Sequence, residues 1–337
     1  MLYLHHPASL RHDPRALSPD HPDAPERLAA IESAISDAEL DALDRLPAPA
    51  SSERELTLVH SEQHVAFVRD LCRAGGGQID ADTYVGEASY DAALHAAGGA
   101  TEMVRRLVAG SAEAGFCALR PAGHHADRDR AMGFCLFNNV ALGAELAIAE
   151  LGVEKVMVVD WDVHHGNGTA EIFRRRADVL VVSIHQAGLF PGTGALMDAG
   201  SGDGHGYTVN LPVPPGSDGE VWLSVVEHLI VPIGLDYGPE LVLVSAGFDA
   251  HAADPLADCR LQTDDFAQMA CHIRDLARTL RAPLGAVLEG GYDPEALGES
   301  VVATLNALGG EGEAESAAPD QIVTPRAASY LGHRWEL

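Results

Sequence analysis

Histidine and aspartate side chains with the chemistry of metal ligands follow two short apolar segments of the sequence. Asp160, Asp162 and His164 come at the end of one segment, and alternate residues of an extended chain lie on one side, about 6.5–7 Å apart. Asp249 ends another apolar segment and is the best-placed third ligand. Two carboxylates and one imidazole leave a coordination position open, as catalytic zinc sites do. Fe²⁺ or Mn²⁺ would also fit, because hard oxygen ligands do not select zinc.

Two further groups supply the proton chemistry of a hydrolase. His124 and His125 are adjacent and could divide the work of a base for an attacking water and an acid for the leaving group. Tyr292 follows Gly290 and Gly291, and its hydroxyl could stabilise an oxyanion. Each motif alone is typical of a capped turn or a solvated loop. Together, at the ends of five apolar segments, they indicate one active site.

The elements that position these residues alternate along the chain. Apolar runs typical of strands buried on both faces lie at 116–119, 156–159, 179–184, 241–246 and 284–289. Helical patterns lie between them at about 91–109, 138–151, 167–176, 219–235, 264–281 and 295–308. Thr263 and Asp293 have the residue types of helix caps at two of the starts. The alternation predicts a parallel sheet whose carboxyl edge carries the site.

Composition limits the class of protein. Of 337 residues, 47% are hydrophobic and 21% are charged, which is enough apolar material for a sizeable core. The net charge of −28 leaves too few basic residues for a nucleic-acid-binding face, although it would favour cationic substrates.

We predict a single catalytic domain over 1–310, with a linker and a C-terminal segment over 311–337. No oligomeric state is predicted.

Cysteine usage and hydropathy indicate the compartment. The five cysteines are odd in number and contain no CxxC pair, so neither a disulfide framework nor a thiolate zinc site is indicated. The N-terminus lacks the pattern of a secretion signal, and no apolar stretch reaches the roughly 18 residues of a membrane span. These features predict a cytoplasmic protein without a membrane partner.

Four motifs, in order, resemble the histone deacetylase superfamily. They are RPAGHHADRDRAMGFCLFNN at 120–139, VDWDVHHGNGT at 159–169, VSAGFDAHAADPL at 244–256 and LEGGYD at 288–293, within a similarity from about His21 to Leu308. The second motif is similar to the class II branch and its bacterial deacetylase-like and acetylpolyamine amidohydrolase relatives. The resemblance implies the arginase/deacetylase α/β fold, with an eight-stranded parallel sheet flanked by helices on both faces. It also implies hydrolysis of an acetyl amide to a free amine and acetate.

Matching positions carry the family's functional residues onto this chain. The resemblance implies that Zn²⁺ is bound by Asp162, His164 and Asp249. The catalytic residues would be His124, His125 and Tyr292, supported by Asp160 and Asn167. A K⁺ ion would lie at Asp160, Asp162, His164, Ser183 and Ile184, and a second monovalent cation at Phe173, Arg176, Val179 and Tyr207. The substrate channel would include Gly133, Phe134, Phe190, Leu256 and Gly291, with Asp82 at its rim and Arg27 near an interior exit channel.

Two positions distinguish branches of the superfamily. Asn167 stands where class I members carry aspartate, as in class II-like members. Tyr292 stands where weakly active class IIa members carry histidine, so we predict a competent hydrolase. The substrate stays open between acetyl-lysine in proteins and small acetylated amines such as acetylpolyamines, because the net charge suits either.

Two other functions are weighed against this one. An arginase-like ureohydrolase with two manganese ions is suggested by Asp249-Ala-His251, which repeats the spacing of Asp162-Val-His164, but it needs a second cluster of bridging carboxylates. A non-enzymatic binder of acetylated ligands would need a degenerate site, whereas the histidine pair and Tyr292 are intact.

Overall fold

The computed structural model describes residues 1–40 and 42–337. Its described residues form ten strands: β1 (Leu2–His5), β2 (Asp44–Pro47), β3 (Gly76–Gln78), β4 (Tyr84–Gly86), β5 (Ala114–Cys117), β6 (Val156–Asp160), β7 (Val179–Gln186), β8 (Thr208–Val213), β9 (Leu241–Ala246) and β10 (Leu284–Leu288). Eight of them form one parallel sheet in the order β2-β1-β5-β10-β9-β6-β7-β8, and β3 pairs antiparallel with β4. The predicted eight-stranded parallel sheet is confirmed.

Helices cover both faces of this sheet. They are α1 (Glu26–Asp37), α2 (Glu53–Leu56), α3 (Glu62–Arg73), α4 (Ser89–Val108), α5 (Asn139–Leu151), α6 (Asn167–Phe173), α7 (Gly219–Val225), α8 (Val231–Tyr237), α9 (Thr263–Leu280), α10 (Pro294–Gly309) and α11 (Val323–Leu331). Alternate residues of a strand point to opposite faces, so β6 sends Val156 and Val158 into the core under α4 and α5. Met157 and Val159 enter the other core, which α1 and α7 to α11 cover. Strands of this kind are buried on both sides, as the apolar runs predict.

Three strands of the main sheet, β1, β2 and β8, lie outside the predicted segments. β2 and β8 are the two edge strands. β2 has the sequence DRLP and is largely exposed, and β8 contains Pro212, a residue typical of edges because it lacks an amide hydrogen. Neither edge strand therefore carries a continuous apolar run. The strand predicted at 116–119 lies two residues earlier, at Ala114–Cys117.

Helix boundaries follow the predictions with three differences. Asp293 caps α10 as predicted, because its side chain accepts the amide hydrogen of Ala296. The cap predicted at Thr263 is wrong: Gln262 is the N-cap of α9, and its amide donates to the side chain of Asp265. The helix predicted over 219–235 is α7 and α8 joined by a π-helical turn (Val226–Ile230). The helix predicted over 167–176 ends at Phe173.

The C-terminal segment packs on the core of the main domain. Val323 and Ala327 of α11, with Leu331 and Trp335, belong to the core that includes α7. The hydroxyls of Ser224 and Thr324 lie 2.8 Å apart and join α7 to α11. The division of the chain at residue 310 stays a prediction, but residues after it supply buried side chains to the main domain.

Strand pairing brings the polar residues together at one edge. Asp160, the last residue of β6, lies opposite Ser183 of β7 and Ser245 of β9. The loops that leave β6 and β9 therefore start side by side, at the edge where ligands bind in parallel α/β sheets. Within residues 1–40 and 42–337, every helix is too short or too polar to serve as a membrane span.

Candidate active site

Asp162, His164 and Asp249 meet at the carboxyl edge of the sheet, as predicted. Nδ1 of His164 lies 3.1 Å from Oδ1 of Asp162 and 3.0 Å from Oδ2 of Asp249. Ligand atoms of the three buried residues all lie within 4.8 Å of one another. Burial opposes a charge on His164, yet hydrogen bonds to Asp162 and Asp249 raise its pKa to about 10. The two carboxylates therefore create a strongly negative pocket that favours a cation.

Backbone amides hold these carboxylates in place. The amide of His164 donates to Oδ1 of Asp162 at 2.9 Å, and the amide of Val163 donates to Oδ1 of Asp249 at 2.9 Å. The amide of Gly290 donates to Oδ2 of Asp162 at 2.8 Å. A Cβ at Gly290 would lie 2.1 Å from Oδ2 of Asp249, so only glycine fits there. These hydrogen bonds fix the orientation of the two carboxylates, which is how the ligands of metal sites are commonly held.

The two adjacent histidines lie beside this group, with their ring centroids 4.0 Å apart. Nδ1 of His124 donates to Oδ2 of Asp160 at 3.1 Å, and Nδ1 of His125 donates to Oδ1 of Asn167 at 2.8 Å. Despite burial, the carboxylates of Asp162 and Asp160 hold the pKa of His124 well above its usual range. Burial and the nearby His124 hold the pKa of His125 well below its usual range. Environments that separate two pKa values in this way are typical of acid–base pairs.

Two phenylalanine rings lie beside the histidine pair and Tyr292. The ring of Phe190 lies edge-on to His125 at 5.1 Å, and Phe134 lies edge-on to Tyr292 at 5.7 Å. Gly133 has a positive φ of 56°, and a Cβ there would lie 2.4 Å from Cδ2 of His125. We call Phe134 and Phe190 the aromatic wall. Apolar rings of this kind suit a methylene chain, and contact of Gly133, Phe134 or Phe190 with a substrate stays a prediction.

Arg27 is buried beneath Tyr292, with its guanidinium 4.7 Å from the centre of the tyrosine ring. It donates to the carbonyl oxygens of Gly291 at 2.5 Å and Glu289 at 2.6 Å, and pairs with Asp23 at 2.8 Å. Arg27 therefore fixes the turn that carries Tyr292. Its predicted place near an exit channel stays a prediction.

Asp82 lies on the Phe134 side of the site. The hydroxyl of Thr83 donates to Oδ1 of Asp82 at 3.2 Å and accepts the amide hydrogen of Phe134 at 3.1 Å. Nε2 of His21 lies 2.9 Å from the carbonyl oxygen of Asp82. These contacts join the segment of Asp82 to the aromatic wall.

Leu256 lies on the Tyr292 side of the site. Both residues donate backbone amide hydrogens to Asp254, Leu256 at 2.9 Å and Tyr292 at 2.6 Å. Gly291 faces the core, because a Cβ there would meet Leu297 and Phe248. Direct contact of Gly291, Leu256 or Asp82 with a substrate stays a prediction.

The residues of the two predicted monovalent-cation sites also lie near one another. Asp160 is opposite Ser183 in the sheet, and Ile184 follows Ser183. For the second site, the guanidinium of Arg176 lies 5.7 Å from the ring of Phe173. The backbone carbonyl of Phe173 accepts the amide hydrogen of Arg176, and that of Tyr207 accepts the amide hydrogen of Val181, two residues after Val179. Cation binding at both places stays a prediction.

Several residues that organise the site were not singled out from the sequence. They are Asp23, Arg120, Asp254 and Glu289. Arg120 follows the apolar run at 116–119 directly, and Glu289 is the polar last residue of the run at 284–289, so both stand where the signal that found the histidines is strongest. Asp23 precedes α1 and gives no such signal.

The second cluster that an arginase-like site requires is not formed by the described residues. The other close group of ligand-type side chains is His124, Cys135 and Glu289, which has one carboxylate. Nδ1 of His251 accepts the amide hydrogen of Ala253, and its ring stacks on Phe266 at 6.3 Å. His251 is therefore engaged away from Asp249.

Known proteins of similar sequence or fold indicate the family of this chain. Residues 21–308 match the family described as the histone deacetylase domain. A histone deacetylase-like amidohydrolase of Pseudomonas aeruginosa is 40% identical over 275 residues, covering 81% of this chain and 72% of the relative. A probable deacetylase of Methanothermobacter thermautotrophicus is 40% identical over 325 residues, covering 96% and 95%. The crystal structure of the HDA15 HD domain is 33% identical, with a TM-score of 0.90 over 99% of this chain and 95% of that one.

The family match covers all four motifs and every strand of the main sheet except β1. The chain therefore belongs to the histone deacetylase family, whose activity is that of a deacetylase or amidohydrolase.

Proposed function

We propose that the protein is a zinc-dependent amidohydrolase that removes an acetyl group from an acetylated amine, either acetyl-lysine or a small acetylpolyamine-like molecule. The observation that carries the proposal is the cluster of Asp162, His164 and Asp249 directly beside the histidine pair. Family membership supports the reaction class.

The donor set fits a divalent metal ion. Asp162, His164 and Asp249 would hold it, and their two buried carboxylates provide the negative charge that a divalent ion balances. We assign Zn²⁺ to the site, and the oxygen-rich ligands also accept Fe²⁺ or Mn²⁺. When bound, such an ion supplies a Lewis acid that polarises a carbonyl and makes water more acidic.

Protein side chains then perform the proton transfers. Of His124 and His125, one accepts the proton of the attacking water and the other protonates the leaving amine nitrogen. Asp160 and Asn167 hold the two rings in orientation through the Nδ1 hydrogen bonds. The hydroxyl of Tyr292 donates to the oxygen of the acetyl group as negative charge develops on it.

The aromatic wall would select the substrate. Phe190 lies beside His125 and Phe134 beside Tyr292, and the two rings would hold the aliphatic part of an acetylated amine while excluding water. We place a potassium ion at the end of β6 and β7, where it would balance the charge of Asp160. The net charge of −28 favours cationic amines of either size.

The test is a set of initial rates with the metal-loaded protein and after metal removal. The substrates are an acetyl-lysine peptide, acetylputrescine and acetylspermidine. We expect metal-dependent release of acetate from at least one of them. Preference for the polyamines would assign a small-molecule role, and preference for the peptide would assign protein deacetylation.

A pair of variants tests the metal ligands. Asp249→Asn should lose both bound metal and turnover, whereas Asp264→Asn, at an exposed carboxylate of α9, should keep both. Full metal content in Asp249→Asn would show that the ligand set is wrong. Binding of acetylated amines without hydrolysis, in the metal-loaded protein, would favour the non-enzymatic function. Two tightly bound manganese ions per chain would favour the ureohydrolase.

A further inference from the structure

The carboxylate of Glu289 lies fully buried beneath the histidine pair, at the end of β10. Oε2 accepts the amide hydrogens of Gly123 at 2.7 Å and His124 at 3.1 Å. Oε1 accepts the hydroxyl hydrogen of Ser245 at 3.1 Å. A buried ionisable carboxylate is costly to retain, and the roles proposed above make no use of this one.

The two amide hydrogens belong to the segment that carries His124. They are buried with the segment, and an amide hydrogen without an acceptor in such a place is strongly unfavourable. Glu289 joins this segment to the sheet across 165 positions of sequence, because Ser245 is in β9 and Glu289 follows β10. The position of His124 between Asp160 and Asp162 therefore depends on the reach of this side chain.

Glu289 also connects the histidines to Tyr292. Its backbone carbonyl accepts a hydrogen bond from Arg27 at 2.6 Å. Arg27 in turn binds the carbonyl of Gly291 and lies under the ring of Tyr292. The side chain of Glu289 thus contacts the segment of His124. Its backbone carbonyl is linked through Arg27 to the turn that carries Tyr292.

We propose that Glu289 is the positioning residue that holds His124 against Asp160 and Asp162, and that it does so by the reach of its hydrogen-bonding side chain. The inference rests on the proposed function, in which His124 or its neighbour moves a proton. A second metal site at His124, Cys135 and Glu289 is a poorer explanation, since both oxygens of Glu289 already accept hydrogen bonds.

Two substitutions separate reach from charge. Glu289→Gln keeps the reach and loses the charge, because its amide oxygen can accept both amide hydrogens while its NH₂ group faces the Ser245 hydroxyl. Glu289→Asp keeps the charge and is one methylene shorter. We expect kcat of Glu289→Gln to fall by at most about threefold, because the hydrogen bonds to both amides are kept. We expect kcat of Glu289→Asp to fall by about 100-fold, which is the cost of displacing a reacting group by roughly 1 Å. KM and metal content should stay close to those of the unmodified protein in both.

Hydrogen exchange provides a readout that does not need turnover. The amides of Gly123 and His124 should exchange faster in Glu289→Asp than in the unmodified protein, and at the original rate in Glu289→Gln. Ser245→Ala is the matched control, because it removes the partner of Oε1 but leaves both amide contacts. Its exchange rates at Gly123 and His124 should stay close to the original.

Four results would overturn the inference. They are Glu289→Asp with original kcat, Glu289→Gln impaired as strongly as Glu289→Asp, loss of metal parallel to loss of kcat, and unchanged amide exchange in Glu289→Asp. If Glu289→Asp does not fold, Glu289→Gln decides alone, and a kcat loss beyond about tenfold refutes the inference. If the unmodified protein hydrolyses no acetylated amine, the proposed function fails, and amide exchange still decides whether Glu289 holds this segment.

Discussion

Gly133 gives the sharpest test of the active-site geometry, because its backbone passes directly against His125. Its φ is 56°, and a Cβ there would lie 2.4 Å from Cδ2 of His125 and 2.8 Å from Cε1 of Phe190. Gly133→Ala therefore adds both backbone strain and a collision with a proposed catalytic ring.

The two effects have different sizes. An L-residue in the left-handed region costs about 1–2 kcal/mol. At about 2.1 cal/mol/K per residue of unfolding entropy, that strain lowers the Tm of this chain by about 1–3 °C. The collision is relieved only when the His125 ring moves by roughly 1 Å, and a displacement of that size costs about 100-fold in rate. We expect Gly133→Ala to lose kcat by that factor.

Gly152→Ala is the matched control. Gly152 follows α5 with a φ of 77°, and a Cβ there would meet nothing within 4 Å. It should show the same strain, a Tm lower by about 1–3 °C, with kcat close to that of the unmodified protein. The assay combines calorimetry with initial rates on the preferred acetylated amine and a measurement of bound zinc.

One pattern of results would refute the reasoning. If Gly133→Ala and Gly152→Ala have equal Tm and Gly133→Ala keeps kcat within about threefold, His125 does not occupy the described position during turnover. Loss of zinc from Gly133→Ala would also contradict it, because the three atoms nearest to a Cβ at Gly133 belong to His125 and Phe190 and not to a proposed ligand.

Three further predictions test other parts of the structure. Tyr292→Phe should keep the ring contact with Phe134 and the bound metal but lose about 10²–10³ in kcat, and original turnover measured at saturating substrate would remove the hydroxyl from the mechanism. Asp23→Asn should cost about 3–5 kcal/mol in calorimetry, because it leaves buried guanidinium groups unpaired. Burial raises the pKa of Asp23, but Arg120 outweighs this effect and holds that pKa well below its usual range. The unmodified protein therefore loses the stabilisation by the charged Asp23 only as the pH falls below about 4. Trp335→Ala should cost about 3–5 kcal/mol by the same measurement if the C-terminal segment is part of the core, and an unchanged Tm would show that it is not.

The candidate site residues could be predicted because they lie in the loops that leave buried strands at the carboxyl edge of the sheet. Asp162 comes two residues after β6 and Asp249 three residues after β9, and both strands are mainly apolar and buried over their whole length. In a parallel sheet, one local pattern therefore marks both the strand and the edge that carries the ligands. The resemblance added the roles of these residues, which spacing alone did not distinguish.

The remaining parts depend on contacts between distant segments. The edge strand β2 has no apolar run, so sequence periodicity does not reveal it. The role of Asp23 depends on its ion pairs with Arg27 and Arg120, and Arg120 lies 97 positions away in the sequence. Glu289 stands in a motif that was recognised, but its contact with the His124 segment follows from strand order, which the local pattern does not determine.

The balance of buried charge supports the proposed divalent-metal position at Asp162 and Asp249 and the proposed monovalent-cation position at Asp160. Asp23 is paired with two guanidinium groups. Among the described residues, by contrast, Asp160, Asp162 and Asp249 form ion pairs only with imidazoles. Buried carboxylates are retained when they are paired or bind metal, and two imidazoles do not balance three of them. A divalent ion beside Asp162 and Asp249, with a monovalent ion beside Asp160, would restore the charge balance. It would leave His124 and His125 free for proton transfer.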